Sequence, residues 1–89
     1  MAWAVKLKSG AEEDLSCLDK PIRKQILNKL SWLEENFDNI MPLALSQNLA
    51  GFYKLRAGDW RVVYKVNIKT KEINVVAIDH RSNIYDRFE

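Results

Sequence analysis

Seven side chains in the second half of this 89-residue sequence could do chemistry together: Lys54 and Arg56 in "FYKLR", Arg61 and Lys65 in "DWRVVYKV", and His80, Arg81 and Tyr85 in "DHRSNIY". Side chains of an extended chain alternate between its two faces, so Lys54 shares a face with Arg56, and Arg61 with Lys65. Trp60, Val62, Tyr64 and Val66 then take the opposite face and read as core. Antiparallel pairing about Ala57-Gly58-Asp59 sets Arg56 beside Arg61, with cross-strand neighbours about 5 Å apart. Like charges that close repel, and an anion above the sheet would relieve them.

This set lacks paired carboxylates and metal ligands, and it suits cleavage of RNA by the RNA's own 2′-hydroxyl. That reaction needs a base for the 2′ proton, cations for the charge growing on the phosphate, and a donor or cation for the departing 5′ oxygen. A positioned cation contributes on the order of 10²-fold or more, and a general base about 10²- to 10⁴-fold. Arginine fits the phosphate because its planar fork bonds two oxygens and keeps its charge. Tyr85, with an ordinary pKa near 10, becomes a base only if surrounding cations lower it, and its ring could stack on a nucleobase. Taken singly, an arginine on a strand face or a histidine at a strand end is usually only a solvated surface group. The reading rests on their convergence.

The elements that position these residues follow from periodicity. Trp3, Val5 and Leu7 alternate with Ala4, Lys6 and Lys8, which predicts a strand. Ser9 precedes Glu12 by three residues, the spacing of a capping box, and opens a short helix with Leu15 and Leu18 inside and Cys17 packed beside them. Asp19-Lys20-Pro21 starts a second helix, since proline is tolerated in the first turn. Its apolar stripe is Ile22, Ile26, Leu30, Leu33 and Phe37. Trp3 and Trp32 read as packing. Residues 38–51 lose the period and read as a loop with a turn of helix. The period then becomes two in "FYKLR", "WRVVYKV" and "INVVAID", joined by turns at Ala57-Gly58-Asp59 and Lys69-Thr70-Lys71. The polar tail holds a last helical turn. The predicted fold is α+β: one domain, residues 1–89, with a two-helix hairpin packed on a four-stranded, mostly antiparallel sheet in the order β-α-α-β-β-β. The other sheet face is partly open.

Totals narrow the function classes. A net charge of +2 conceals an asymmetry: residues 1–50 carry six Lys/Arg against seven Asp/Glu, and residues 51–89 carry eight against five. The positive charge therefore lies with the candidate site. One cysteine excludes an internal disulfide, and one cysteine with one histidine argues against a metal site of that kind. Lacking a long apolar run or a signal-like N-terminus, the chain is expected to be soluble and cytoplasmic, with no membrane partner and no cofactor.

"GFYKLRAGDWRVVYKV" followed by "INVVAIDHRSNIYDR" closely resembles the RelE/ParE superfamily of toxins from type II toxin–antitoxin pairs, over essentially the whole chain. The RelE branch implies a ribosome-dependent endoribonuclease that cuts mRNA in the A site and inhibits translation. Carried over by motif, Arg61 and Arg81 hold the scissile phosphate, Lys54 assists, Tyr85 acts as base or stacks, and His80 is the alternative base or acid. Arg56, Lys65 and Arg87 are expected to contact RNA. Phe52 stands where some RelE toxins carry a further lysine. The resemblance implies a cognate antitoxin, the ribosome and mRNA as partners. Two alternatives remain at this stage: a ParE-like, non-enzymatic inhibitor of DNA gyrase, or a toxin that only binds its antitoxin.

Overall fold

The alternating N-terminal residues form strand β1 (Ala4–Leu7), and helix α1 (Ser9–Ser16) follows after a single residue. The computed structural model describes residues 3–40, 43–44 and 51–88, with the side chains of Leu43, Ala44, Tyr85 and Phe88 outside that description. Lys8 still donates its N–H to the Val75 carbonyl (2.9 Å), so the strand hands directly to the helix and the cap position falls on Lys8. Ser9 is already helical and no side chain caps the end, so the expected Ser9–Glu12 capping box does not form. Cys17 is also corrected: it is exposed at the C-cap, while Leu15 and Leu18 are half-buried against the core.

Helix α2 (Lys20–Asn36) starts after Asp19 with Pro21 in its first turn, as the sequence predicts. Ile26, Leu30 and Leu33 are buried along it, and Phe37 extends the stripe into a 3₁₀ turn (Phe37–Asn39). Trp3 packs against Phe37 with the rings tilted and 4.7 Å between centroids, and it donates its indole N–H to Asp38 Oδ1 (2.7 Å). Trp32, expected as packing, is instead 41% exposed, with Lys29 Nζ 4.5 Å from the centre of its ring.

Strands β3 (Tyr53–Ala57), β4 (Trp60–Asn67) and β5 (Glu72–His80) form the antiparallel part of the sheet, and β1 joins it parallel to β5. These are the four expected strands, and two helices pack on one face of them. A two-residue strand β2 (Leu43–Ala44) extends the sheet beyond β3, giving the order β1-β5-β4-β3-β2. Part of the predicted 38–51 loop, residues 41–42 and 45–50, lies outside the described residues.

The β3–β4 turn is the pair Gly58-Asp59, with Gly58 at φ +63. Positive φ at the first central residue alone marks a type II′ hairpin, whose twist suits the flanking strands. The positive φ is what opposes a side chain there; a Cβ on Gly58 would also lie 2.8 Å from Gln25 Nε2, the movable end of a long side chain on α2. At the β4–β5 turn, Asn67 Oδ1 accepts the N–H groups of Lys69 (3.1 Å) and Thr70 (3.2 Å).

The core lies between the helices and the sheet, where Leu55, Ala57, Val62, Tyr64, Ile73, Val75 and Ile78 meet Ala11, Ile26, Leu30, Leu33 and Phe37. Burial pushes the Tyr64 phenol up to about 12, helped by the neighbouring Tyr53. Helix α3 (Ile84–Phe88) crosses to the other face, where Ile84 closes a small cluster with Val63 and Ala77. Two backbone N–H groups on strand edges are covered by carboxylates: Val5 N–H donates to Glu34 (2.7 Å) and Ile78 N–H to Asp14 (3.0 Å).

Candidate functional site: a cationic sheet face

Register decides which side chains meet. Across β3 and β4, Arg56 stands opposite Arg61 and Lys54 opposite Val63, as the turn position predicts. On β4 and β5, Arg61 stands opposite Asp79 and Trp60 opposite His80. The pairing slips between Val63 and Tyr64: Val63 faces Ala77 but Tyr64 faces Val75, leaving Val76 as a bulge.

That one extra residue reorients the end of β5. Strict alternation from Ile73 and Val75 would place Ala77 and Asp79 on the core face and His80 with the cations. The bulge inverts this beyond Val76, so Ile78 enters the core, Ala77 joins the outer cluster, and Asp79 joins the row Arg56–Arg61. His80 turns to the helix-side face, where it meets the Trp60 ring edge-on at 5.5 Å. Its Nδ1 receives the Ser82 N–H (3.2 Å) and lies 2.8 Å from Ser82 Oγ, so the imidazole proton belongs on Nε2. His80 and the arginine row therefore occupy opposite faces. The sequence hint was the unbroken apolar run Val75-Val76-Ala77-Ile78, which alternation alone cannot assign.

Arg61 and Arg81 are both tied to the Gly58-Asp59 turn. Arg61 Nη1 donates to the carbonyls of Gly58 (2.8 Å) and Trp60 (2.9 Å), fixing one edge of its guanidinium. Arg81 donates its backbone N–H to the Asp59 carbonyl (2.8 Å). Its side chain lies 3.8 Å from the Asp59 carboxylate in an ion pair exposed on both sides, which salt and water weaken. Among the described residues neither Arg56 nor Arg61 has a carboxylate partner.

The remaining expected residues lie at different distances from this turn. Lys54 is half-buried beside Val63, near the outer cluster. Lys65 is four residues along β4 from Arg61, about 13 Å at strand rise, and its ammonium sits 4.6 Å from the centre of the Phe52 ring. Between these two cations lies the Val63–Ala77–Ile84 cluster. Tyr85 follows Ile84 in α3, and its side chain lies outside the described residues.

Arg87 is placed differently from a simple RNA contact. Its guanidinium bridges Asp14 on α1 (2.9 Å) and Asp79 on β5 (3.2 Å). Burial acts to lower its pKa, but hydrogen bonds to and charge from Asp14 and Asp79 outweigh that and raise it above the ordinary arginine value. Sequence reasoning missed Ile84, Asp14 and Asp79 as the residues that dock α3. Ile84 and Arg87 are three apart, the spacing of one helical face. Among the described residues there is no group of His, Cys, Asp and Glu that could hold a metal ion, and no helix is long and apolar enough to cross a membrane.

Comparison with known proteins agrees with this architecture. Residues 5–85 match the family described as ParE toxin of the type II toxin–antitoxin system parDE. The toxin–antitoxin complex RelBE2 of Mycobacterium tuberculosis contains a chain superposing with a TM-score of 0.79 at 22% identity, covering 91% of this chain and 100% of that one. The archaeal RelE–RelB complex from Pyrococcus horikoshii matches with a TM-score of 0.70 at 26% identity, covering 91% and 97%. The YoeB dimer of Staphylococcus aureus matches with a TM-score of 0.68 at 25% identity, covering 88% and 95%. No curated protein sequence gives a significant match.

Proposed function

We propose a function from a fixed premise: the chain belongs to the ParE toxin family of type II toxin–antitoxin systems, and is a toxin of the RelE/ParE superfamily. Within that family we assign it ribosome-dependent cleavage of mRNA in the A site. The observation that carries this reading is the direct pairing of Arg56 with Arg61, beside Arg81 at the same turn and without carboxylate partners for the pair among the described residues. An anion above this face turns a repulsive arrangement into a favourable one.

In the reaction, the 2′-oxygen of the RNA forms a bond to phosphorus as the bond from phosphorus to the 5′ oxygen breaks, and a cyclic phosphate results. The 2′ proton goes to a base, for which we assign Tyr85, and a proton or cation meets the departing oxygen. Arg61, with one edge pinned by turn carbonyls, keeps donors for the phosphate, and Arg81 supplies a second fork. Lys54 assists, while Arg56 and Lys65 hold the flanking RNA. His80 meets the Trp60 ring on the other face, and we therefore assign the base to Tyr85 in its place.

A second reading has its own support, because the matching family is defined by ParE toxins: binding of DNA gyrase without cleavage. The deciding experiment is translation of a defined mRNA in vitro with added protein, with the 5′ ends of fragments mapped by primer extension, beside Arg61→Ala and Tyr85→Ala. Ribosome-dependent cuts at A-site codons that vanish in both variants establish the nuclease. Intact mRNA together with inhibited gyrase supercoiling establishes the second reading. We also assign an acidic cognate antitoxin as partner. Its affinity is expected to fall as salt rises from low to physiological ionic strength, read by titration, and an unchanged affinity would exclude an electrostatic contact.

A further inference from the structure

The bulge at Val76 creates a difficulty for an anion-binding face: it brings the carboxylate of Asp79 into the row of Arg56 and Arg61. A carboxylate about 5 Å from Arg61 across the strands is a resident competitor for any phosphate. Yet Asp79 is not paired with Arg61. Its Oδ1 accepts the His80 N–H (2.7 Å), and its Oδ2 accepts from Arg87 Nη1 (3.2 Å). The other terminal nitrogen of Arg87, Nη2, reaches Asp14 (2.9 Å), whose carboxylate also holds the Ile78 N–H (3.0 Å). Arg87 thus ties together three elements, α1, β5 and α3, and faces two anions with one fixed fork.

We propose that Arg87 is a positioning residue of the site, which holds Asp79 away from Arg61 and so leaves the Arg56–Arg61 pair to bind a phosphate. This rests on the reading of the cationic face as a phosphate site. It assigns Arg87 an action through Asp79, in place of direct contact with RNA. Both carboxylates are largely covered, with side-chain exposures of 21% for Asp14 and 27% for Asp79, so water screens neither fully and both gain from the Arg87 charge. Losing the Arg87 charge would leave Asp79 with Arg61 as its nearest cation in the register. The same contact, with Ile84, fixes where α3 lies and so where the chain presents Tyr85.

The test reads binding without ribosomes or cleavage, so an inactive nuclease leaves it intact. Inorganic phosphate is titrated into the full chain while the Arg61 Nε–H resonance is followed by NMR. Arg87→Gln is expected to weaken phosphate binding at Arg61 by about tenfold. Arg87→Lys, which keeps the charge, is expected to lose no more than about threefold. Combining Arg87→Gln with Asp79→Asn is expected to restore binding to within about twofold of the unaltered chain, although the bridge to Asp14 remains broken. A purely structural role, or direct contact of Arg87 with phosphate, predicts that the double variant binds as weakly as Arg87→Gln, and that result would overturn the proposal. So would a Lys variant as weak as the Gln variant, or an Arg61 resonance that phosphate does not move in the unaltered chain. If Arg87→Gln does not fold, Asp79→Asn alone decides: with the competing carboxylate removed it is expected to bind phosphate at Arg61 at least as tightly as the unaltered chain, and weaker binding would overturn the proposal.

Discussion

The two faces of one sheet are built on opposite terms. Toward the helices, Val62, Tyr64, Ile73 and Val75 are fully or almost fully buried under α1 and α2, and contacts reach across much of the chain. On the other face, among the described residues, Val63, Ala77 and Ile84 form a small buried cluster with arginines and lysines around it. Residues alternating along β4 serve both sides. The difference teaches that the helix-side face supplies most of the stability, which frees the other to keep like charges side by side.

The largest expected effect tests the first half of that contrast. Leu33→Ala, at a fully buried site between α2 and the sheet, is expected to cost about 2–5 kcal/mol in chemical unfolding. A loss below about 1 kcal/mol would mean that the helix-side face is not the main source of stability. Next, Arg61→Ala is expected to reduce the proposed mRNA cleavage by on the order of 10²-fold while changing stability by no more than about 0.5 kcal/mol. Equal losses in both would merge the two faces into one structural unit.

Ile84→Ala sharpens the contrast, because Ile84 is as buried as Leu33 yet sits on the outer face. A five-residue helix can undock before the sheet opens. Global stability is therefore expected to fall by less than about 1 kcal/mol, while amide exchange in α3 accelerates. The smallest effect belongs to Tyr64. Its folded pKa of about 12 lies above the ordinary value near 10, so the fold favours the neutral phenol. Its contribution is whole below pH 10 and is lost as pH rises from about 10 toward 12. Tyr64→Phe is expected to leave unfolding unchanged at neutral pH and to flatten that alkaline decline, measured as midpoint against pH.

The same contrast explains what could be read from the sequence. The α2 stripe from Ile26 to Phe37 and the alternation of Trp60, Val62 and Tyr64 were legible because a large core imposes one period on many residues. The opposition of Arg56 and Arg61 was legible because a two-residue turn fixes register nearby. The bulge at Val76 was not legible, since four consecutive apolar residues satisfy either face, and with it went the placement of His80 and Asp79. Cys17 and Trp32 were misplaced for a related reason: apolar type predicts burial only where a partner surface exists, and both lie on the outside of the helical hairpin. The missing Ser9 cap followed from the direct strand-to-helix junction at Lys8, which a three-residue motif does not report.

The carboxylates of Glu34 and Asp14 also bear on how this protein behaves in a crowd. Asp14 of α1 occupies the Ile78 N–H of β5 beyond the end of β1, and Glu34 occupies the Val5 N–H on the outermost strand β1, which a strand from another molecule would otherwise use. A neighbouring copy arriving there must displace a charged acceptor before it can lengthen the ladder. Edge-to-edge stacking into fibres is thereby disfavoured at Val5, without any residue of the cationic face being spent on solubility.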